Sequence, residues 1–178
     1  MQQHLEIEFK TLITKQEYLN LIKEFKLEND IFSQTNYYFD TENSDLMNKK
    51  TVLRIRKKKQ YKLTKKEKDI NGNKESSIYL KDTEALDMIN NGFDAHIINE
   101  PYYVKNVCAL TTLRAKTKYK DGIIFFDHSI YNNIEDYEIE YEAENYEKGK
   151  KIFEEFLKEH KITKKEPVSK SKRAFNTR

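Results

Sequence analysis

Cysteine and glycine are both scarce in this chain of 178 residues. A single cysteine excludes an intramolecular disulfide, and the four glycines form no glycine-rich loop for binding phosphate. The one thiol, Cys108, lies in the apolar run VKNVCAL, where a buried and inert residue is expected. Any phosphate group would therefore have to be bound by side chains.

Histidine and long apolar runs are scarce as well. The four histidines and one cysteine show no zinc-ligand spacing. No stretch approaches the ~20 apolar residues needed to span a bilayer, and the N-terminal MQQHLEIEFK lacks the apolar core of a signal peptide. These absences predict a cytoplasmic protein that is not embedded in a membrane.

Charge is abundant but almost balanced. The chain has 33 Lys and Arg against 30 Asp and Glu, a net charge of +3, with 37% hydrophobic residues that include 12 Tyr and 10 Phe. Such a small net charge does not predict nucleic-acid binding, and the basic runs RKKKQYK and KITKKE are expected to be solvated surface. The length and the aromatic content predict one domain spanning residues 1–178.

The segment HLEIEFK alternates as a strand does, with apolar residues on one face and charged residues on the other. The same alternation returns in VLRIRKK, YKLTKK, TTLRAKTK and DYEIEYEAE. The charged positions of these five strands are Glu6, Glu8, Lys10, Arg54, Arg56, Lys62, Lys66, Arg114, Lys116, Lys118, Glu138, Glu140 and Glu142. Five strands therefore share one amphipathic pattern.

Turn and capping signals divide the rest of the chain into about eight strands and several helices. Thr14 and Glu17 form a capping box that predicts the start of the first helix. Helices are also predicted over residues 82–91 and 147–159, with a further helical segment beginning at Pro101. The last predicted helix is followed by a basic tail, KITKKEPVSKSKRAFNTR.

Two architectures fit this pattern. In an open sheet packed on helices, the charged faces are solvated and have no chemical role. In a closed barrel with helices outside, the charged faces line the lumen. Carboxylates cluster on the first and last strands and basic residues on the middle ones, whereas solvated faces usually mix the two signs. The sorting favours the closed barrel, with helices outside and a charged lumen.

The sorted charges predict a site for a metal ion with a polyphosphate. Carboxylates at positions i and i+2 of a strand point the same way, and two such pairs side by side suit Mg²⁺ or Mn²⁺. Several phosphates would be bound by basic side chains, namely Lys10, Arg54, Arg56, Lys62, Lys66, Arg114 and Lys116. Metal and cations together can neutralise the charge that develops during hydrolysis without a covalent nucleophile.

The same segments resemble the CYTH superfamily of triphosphate tunnel metalloenzymes, and most closely its small bacterial single-domain branch. EIEFK resembles the Glu-x-Glu-x-Lys signature of the first strand, YYFDT the second strand, LRIR the Arg-x-Arg strand and YKLTKK the Leu-Thr-x-Lys segment. LTTLRAK, FDHSIY and EDYEIEYE are similar to the second half of the family in the same order, and SKSKRAF resembles its closing Ser-Lys-x-x-Arg. The resemblance covers residues 4–175.

The resemblance implies an α+β fold with an eight-stranded antiparallel closed β-barrel, or tunnel, and helices packed outside. It also implies metal-dependent hydrolysis of an inorganic or organic triphosphate inside the tunnel. The metal ligands it implies are Glu6, Glu8, Asp127, Glu138 and Glu140. The phosphate-binding residues it implies are Lys10, Arg54, Arg56, Lys66, Arg114 and Lys116, and Lys170 is expected to approach the tunnel from the tail. Lys10, Arg56 and Lys170 are the expected catalytic residues.

Two positions of the resemblance stay open. Lys65 stands where the family often has an apolar residue, so either Lys65 or Lys66 could match the family lysine, and Lys66 is preferred. Glu75 is a candidate for a family acid on the fifth strand, although a polar loop precedes it.

Other functions are compatible with the same tunnel. The family also includes adenylate cyclases, and a non-catalytic sensor of polyphosphate or a nucleotide would use the same cations. Pure anion binding has no need of four carboxylates, which favours catalysis. His128 is expected to have a structural role. Tyr37, Tyr38, Tyr137 and Tyr141 are expected to pack on the outer face.

Overall fold

The structure is a computed structural model that describes residues 2–70, 72–166 and 168–177. Its strands are β1 (Gln2–Ile13), β2 (Phe32–Asp40), β3 (Thr51–Lys57), β4 (Tyr61–Asp69), β5 (Gly72–Leu80), β6 (Phe93–Asp94), β7 (Tyr103–Tyr119), β8 (Gly122–Tyr131) and β9 (Ile134–Ala143). Its helices are α1 (Lys15–Glu24), α2 (Asp45–Asn48), α3 (Asp82–Asn91), α4 (Tyr146–Glu159) and α5 (Lys170–Phe175), with a 3-10 turn at Ala95–Ile98. Among the described residues, no helix has the length and hydropathy needed to cross a bilayer.

The strands form one sheet in the order β2-β3-β4-β5-β1-β9-β8-β7-β6, and β2 also pairs with β7. The pairings recorded along this sheet are antiparallel. Because β2 and β7 pair, the eight long strands close on themselves, while the two-residue β6 adds only a short extension. The predicted α+β fold with an eight-stranded antiparallel closed barrel is confirmed.

The residues form two compact units. The first unit comprises Met1–Leu5, Gln34–Leu110 and Lys170–Arg178, and the second comprises Glu6–Ser33 and Thr111–Ser169. Each unit has its own apolar core of strand and helix residues.

In the first unit, the apolar faces of β3 and β4 pack against helices. Leu53, Ile55 and Leu63 are fully buried in one cluster with Leu46 of α2 and Ala85 of α3. Burying a leucine or isoleucine side chain contributes about 1.5–3 kcal/mol, which fixes this face of the strands toward the helices. The charged residues between them therefore lie on the opposite face.

In the second unit, α1 and α4 cover the apolar faces of β7, β8 and β9. The cluster contains Tyr18, Leu21 and Ile22 of α1 together with Phe126 of β8 and Phe156 of α4. The predicted capping box starts α1, because the Thr14 hydroxyl accepts from the Glu17 amide at 3.2 Å while the Glu17 carboxylate accepts from the Thr14 amide at 2.6 Å.

The helix predicted from Pro101 is wrong. The chain there enters β7 at Tyr103, so this strand starts eight residues before the predicted return to strand character at Thr111. Tyr and Val are strand-forming residues, and Val104 is fully buried against the core between exposed neighbours, which is a strand pattern. Cys108 in the same strand is only half-buried, so its predicted full burial is also wrong.

Candidate functional site

The basic face of the first unit consists of Arg54, Arg56, Lys62 and Lys66. In the strand register, Arg56 lies opposite Lys62, and Lys66 lies opposite Glu75 of β5. Directly opposed residues project from the same side of a sheet, so these side chains share one face. It is the face opposite the apolar one, as the alternation predicts.

Glu75 lies among these cations. Arg54 Nη2 donates to Glu75 Oε1 at 3.3 Å, Lys66 Nζ lies 3.8 Å from the same oxygen, and His4 Nε2 lies 3.7 Å from Oε2. Burial by itself acts to raise the pKa of Glu75, but the positive charges of Arg54 and Lys66 outweigh it, and the pKa is lowered. Glu75 is therefore an ionised partner of the basic face.

The two adjacent lysines of β4 point to opposite faces. Lys65 is buried on the Leu53 side, where its ammonium lies 3.0 Å from Glu100 and 3.2 Å from Glu67. Lys66 lies on the basic face beside Glu75. Lys66 therefore lies on the same face as the other predicted phosphate-binding residues of this unit, and its contact with phosphate stays a prediction.

The end of the chain also packs on this face. The ring of Phe175 in α5 lies 6.1 Å from the ring of Tyr38, which stands opposite Arg54 in the strand register. Tyr38 therefore lies on the charged side of β2, and its predicted outer-face packing is wrong, whereas Tyr37 packs against the apolar core. Lys170 is half-buried at the start of α5, and its catalytic role stays a prediction.

Glu75→Gln is expected to lower the melting temperature at pH 7 by several degrees. Hydrogen bonds to charged groups contribute about 1.5–3 kcal/mol, and each kcal/mol moves Tm by about 2–4 °C in a chain of this size. Because folding lowers the pKa of Glu75, its stabilisation is full above the unfolded value of 4.5 and is lost as pH falls through the folded value.

Melting curves between pH 3 and pH 8 check this expectation. The difference in Tm between wild type and Glu75→Gln should shrink below pH 4.5, while Glu28→Gln, at an exposed site, should match wild type throughout. A difference that stays constant with pH would show that the Glu75 charge does not stabilise the fold.

In the second unit, three carboxylates meet in the acidic cluster of Asp127, Glu138 and Glu140. All three residues are buried, and each offers an oxygen within 4.8 Å of the others. β8 and β9 place Asp127 directly opposite Glu138, and Glu140 lies two residues further along the same face of β9. The structure thus brings together three residues that the resemblance implies as metal ligands, of which alternation had placed Glu138 and Glu140 on one face.

Arg114 of β7 lies inside this acidic cluster. Its Nε and Nη2 donate to the two oxygens of Asp127 at 2.6 and 2.5 Å, and Nη2 also donates to Glu140. Burial acts to lower the pKa of Arg114, but the carboxylates of Asp127 and Glu140 raise it well above its ordinary value. Arg114 partly neutralises the cluster, and its predicted contact with phosphate stays a prediction.

The charged face of β1 lies against the same part of β9. Lys10 stands opposite Glu140 and Glu8 opposite Glu142, and Lys10 Nζ donates to Glu8 at 2.8 Å. Glu6 continues this face, and its charge acts on Glu142. Glu6 and Glu8 are thus brought to the face of the acidic cluster without belonging to its three-residue core.

Glu142 is a site residue for which the sequence predicts no role beyond membership of the face. Burial, followed by the carboxylates of Glu6 and Glu140, raises the pKa of Glu142 from 4.5 to about 7. The part of this pKa shift that follows burial comes from neighbouring carboxylates on the same face. The feature of the sequence that could have identified Glu142 is its position two residues beyond Glu140, which places it on the same face of the strand.

Lys116 is the most exposed of the predicted ligand-binding residues in this unit. It stands opposite Phe125 in the row that continues to Glu140, but its side chain is exposed. Phe125 also lies on this charged face, with the Arg114 guanidinium 4.5 Å from its ring centroid. The acidic cluster thus has an aromatic neighbour that the sequence pattern does not predict.

Comparisons with known proteins identify the family of this chain. Residues 4–175 match the family model of the CYTH domain. The protein of Bacillus subtilis (strain 168) named "Putative triphosphatase YjbK" is 35% identical over 185 residues, which are 98% of this chain and 96% of that protein.

Solved structures of similar fold also match almost the whole chain. The crystal structure of a protein from Bacillus halodurans, named a "putative adenylate cyclase", has a TM-score of 0.89 at 32% identity, covering 98% of this chain and 100% of that one. The Hippeastrum protein HpAC1, described as a "putative adenylyl cyclase" with a dominant triphosphatase activity, has a TM-score of 0.75 over 97% and 96% of the two chains. At 21% identity this second likeness shows the fold alone. The match of almost the whole chain to one family model and to a relative of 35% identity shows that the chain belongs to the CYTH domain family.

Proposed function

We propose that this protein is a divalent-metal-dependent triphosphatase that hydrolyses a phosphoanhydride bond of an inorganic or organic triphosphate. The observation that carries the proposal is the buried acidic cluster of Asp127, Glu138 and Glu140. Buried carboxylates destabilise a fold unless cations compensate them. Three carboxylates whose oxygens lie within 4.8 Å of one another can hold a divalent cation during function, and a relative named as a triphosphatase supports the reaction.

The donor atoms of the acidic cluster fit Mg²⁺ or Mn²⁺. They are all carboxylate oxygens, which these hard cations prefer, and no sulfur or imidazole ligand belongs to the cluster found among the described residues. Glu6 and Glu8 are proposed to complete the ligand set from β1. The ion would neutralise negative charge on the phosphoryl oxygens and so favour attack of water on the phosphorus atom.

The phosphates are proposed to bind the basic residues. Arg54 and Arg56 offer forked guanidinium donors, which suit the tetrahedral oxygens of phosphate, while Lys62 and Lys66 act as point charges. Lys10, Arg114 and Lys116 are proposed as further phosphate-binding residues. Arg54 already donates to Glu75, so its guanidinium is oriented before a ligand arrives. Phosphate oxygens would compete with Glu75 for this guanidinium.

Catalysis is proposed to use Lys10, Arg56 and Lys170, which would stabilise the charge on the transferring phosphoryl group. No covalent intermediate is needed, because the transition state of phosphoryl transfer is stabilised mainly by positioning and electrostatics. Residues 1–178 are proposed to act as one catalytic domain on a small-molecule triphosphate in the cytoplasm.

Phosphate release from inorganic triphosphate, pyrophosphate, ATP and thiamine triphosphate, with Mg²⁺ and Mn²⁺ in turn, tests the proposal. Release from at least one triphosphate is expected, together with complete loss of activity after chelation by EDTA and recovery when the metal is restored. Cyclic nucleotide formation from ATP without phosphate release would indicate a cyclase. Binding without any turnover would indicate a sensor.

A further inference from the structure

Strand β5 carries the basic face from the interior to the surface. Its alternate residues Glu75, Ser77 and Tyr79 project from the same side, and they are 5%, 2% and 57% exposed. Glu75 is the buried partner of Arg54, whereas Tyr79 is a large aromatic side chain open to solvent. The face therefore ends at Tyr79.

Tyr79 also ends a row of residues across four neighbouring strands. Asn36 of β2 stands opposite Arg56 of β3, Arg56 opposite Lys62 of β4, and Lys62 opposite Tyr79. Arg56 Nε donates to Asn36 at 3.0 Å, and the ammonium of Lys62 lies 5.5 Å from the centroid of the Tyr79 ring. An exposed aromatic ring thus borders the cations of the basic face.

Packing does not account for this ring. Tyr61, on the apolar face of β4, is buried in the core of the first unit, as strand tyrosines commonly are. Tyr103 is as exposed as Tyr79, at 58%, but its hydroxyl donates to the carbonyl of Asn91 and so ties β7 to α3. Single exposed aromatics are ordinary, so it is the position beside Arg56 and Lys62 that points to a ligand.

We propose that Tyr79 is a stacking surface for the aromatic group of an organic triphosphate, such as a nucleobase, whose phosphates bind the basic face. The inference rests on the proposed function and names the substrate class that this site takes. About 13 Å separates the backbone positions of Glu75 and Tyr79 along an extended strand, which leaves room for a phosphate chain before the aromatic group. Aromatic side chains stack on any base, so the surface selects for an aromatic group rather than for one base.

The test compares steady-state hydrolysis of ATP and of inorganic triphosphate by wild type, Tyr79→Ala, Tyr79→Phe and Tyr103→Ala. Tyr79→Ala is expected to raise KM for ATP about 5- to 20-fold with kcat within about twofold, because lost stacking weakens ground-state and transition-state binding equally. Inorganic triphosphate has no ring, so its KM should change by less than about twofold. Tyr79→Phe and Tyr103→Ala should match wild type with both substrates.

Two results would overturn the inference. An equal rise in KM for both substrates would show that Tyr79 positions the cations instead. Hydrolysis of inorganic triphosphate without any turnover or binding of ATP by the wild type would remove the aromatic subsite and leave the proposed triphosphatase standing.

A wild type that hydrolyses neither substrate overturns the proposed function. Calorimetric titration with a non-hydrolysable ATP analogue then decides the subsite separately. Weaker binding of the analogue to Tyr79→Ala than to Tyr103→Ala supports the subsite, and equal binding overturns it.

Discussion

Arg56→Ala is expected to slow triphosphate hydrolysis by about 30- to 1000-fold, which corresponds to a loss of about 2–4 kcal/mol of transition-state stabilisation. The physical reason is the loss of a forked, charge-assisted contact to the phosphoryl group. Lys57→Ala, one residue further along the same strand, should leave the rate within about twofold. The hydrolysis rates of both variants are measured by phosphate release with saturating metal.

The structure makes this pair a matched comparison. Arg56 shares the basic face with Lys62, whereas Lys57 stands opposite Tyr61 on the other face, with its ammonium 5.5 Å from that ring. Both side chains are basic and sit at the same end of β3, so only their direction differs. Equal, small effects of the two substitutions would remove Arg56 from the phosphate site.

Glu140→Gln is expected to abolish turnover and the stabilisation of the protein by metal. In wild type, Mn²⁺ should raise Tm because it binds the folded acidic cluster and not the unfolded chain. The variant removes one anionic ligand from that cluster, so the rise in Tm should disappear. Glu144→Gln, at an exposed position beyond β9, should keep both the activity and the Tm response.

Metal-free stability distinguishes the two roles that Glu140 could have. Arg114 keeps its two-pronged contact with Asp127 in the variant, and the surplus of negative charge around Glu142 falls. Metal-free Tm should therefore hold or rise. A large fall in metal-free Tm, with the metal response retained, would mean that Glu140 serves as a structural ion-pair partner of Arg114.

The sequence predicts best to which face of its strand each side chain of the site points. Alternation with a period of two places Arg54 and Leu53 on opposite faces regardless of what else the strand contacts. The partner of Arg114 could also have been obtained from the sequence. The tight turn that pairs Tyr119 with Gly122 fixes the hairpin register, which brings Arg114 opposite Asp127.

The neighbouring sequence alone does not decide between chemically similar alternatives. Lys65 and Lys66 are adjacent and identical, and only Glu100, distant in sequence, shows which of them is buried in an ion pair. Pro101 is equally ambiguous, because the Ala95–Ile98 turn and the pairing of β6 with β7 decide that the chain continues as a strand. Tyr79 cannot be told from any surface tyrosine until the register shows the row in which it stands.

The buried pair of Lys65 and Glu100 constrains how this chain can change by mutation. Replacing both partners of a buried pair by apolar residues is commonly neutral or stabilising. Replacing Lys65 alone leaves the buried Glu100 carboxylate without this partner, at a cost of about 3–5 kcal/mol, whereas replacing Glu100 alone leaves Lys65 3.2 Å from Glu67. Since a whole domain is stable by only about 5–15 kcal/mol, losing Lys65 first removes a large fraction of that stability. The two positions are therefore expected to be epistatic, with Glu100 exchanged before Lys65 or together with it.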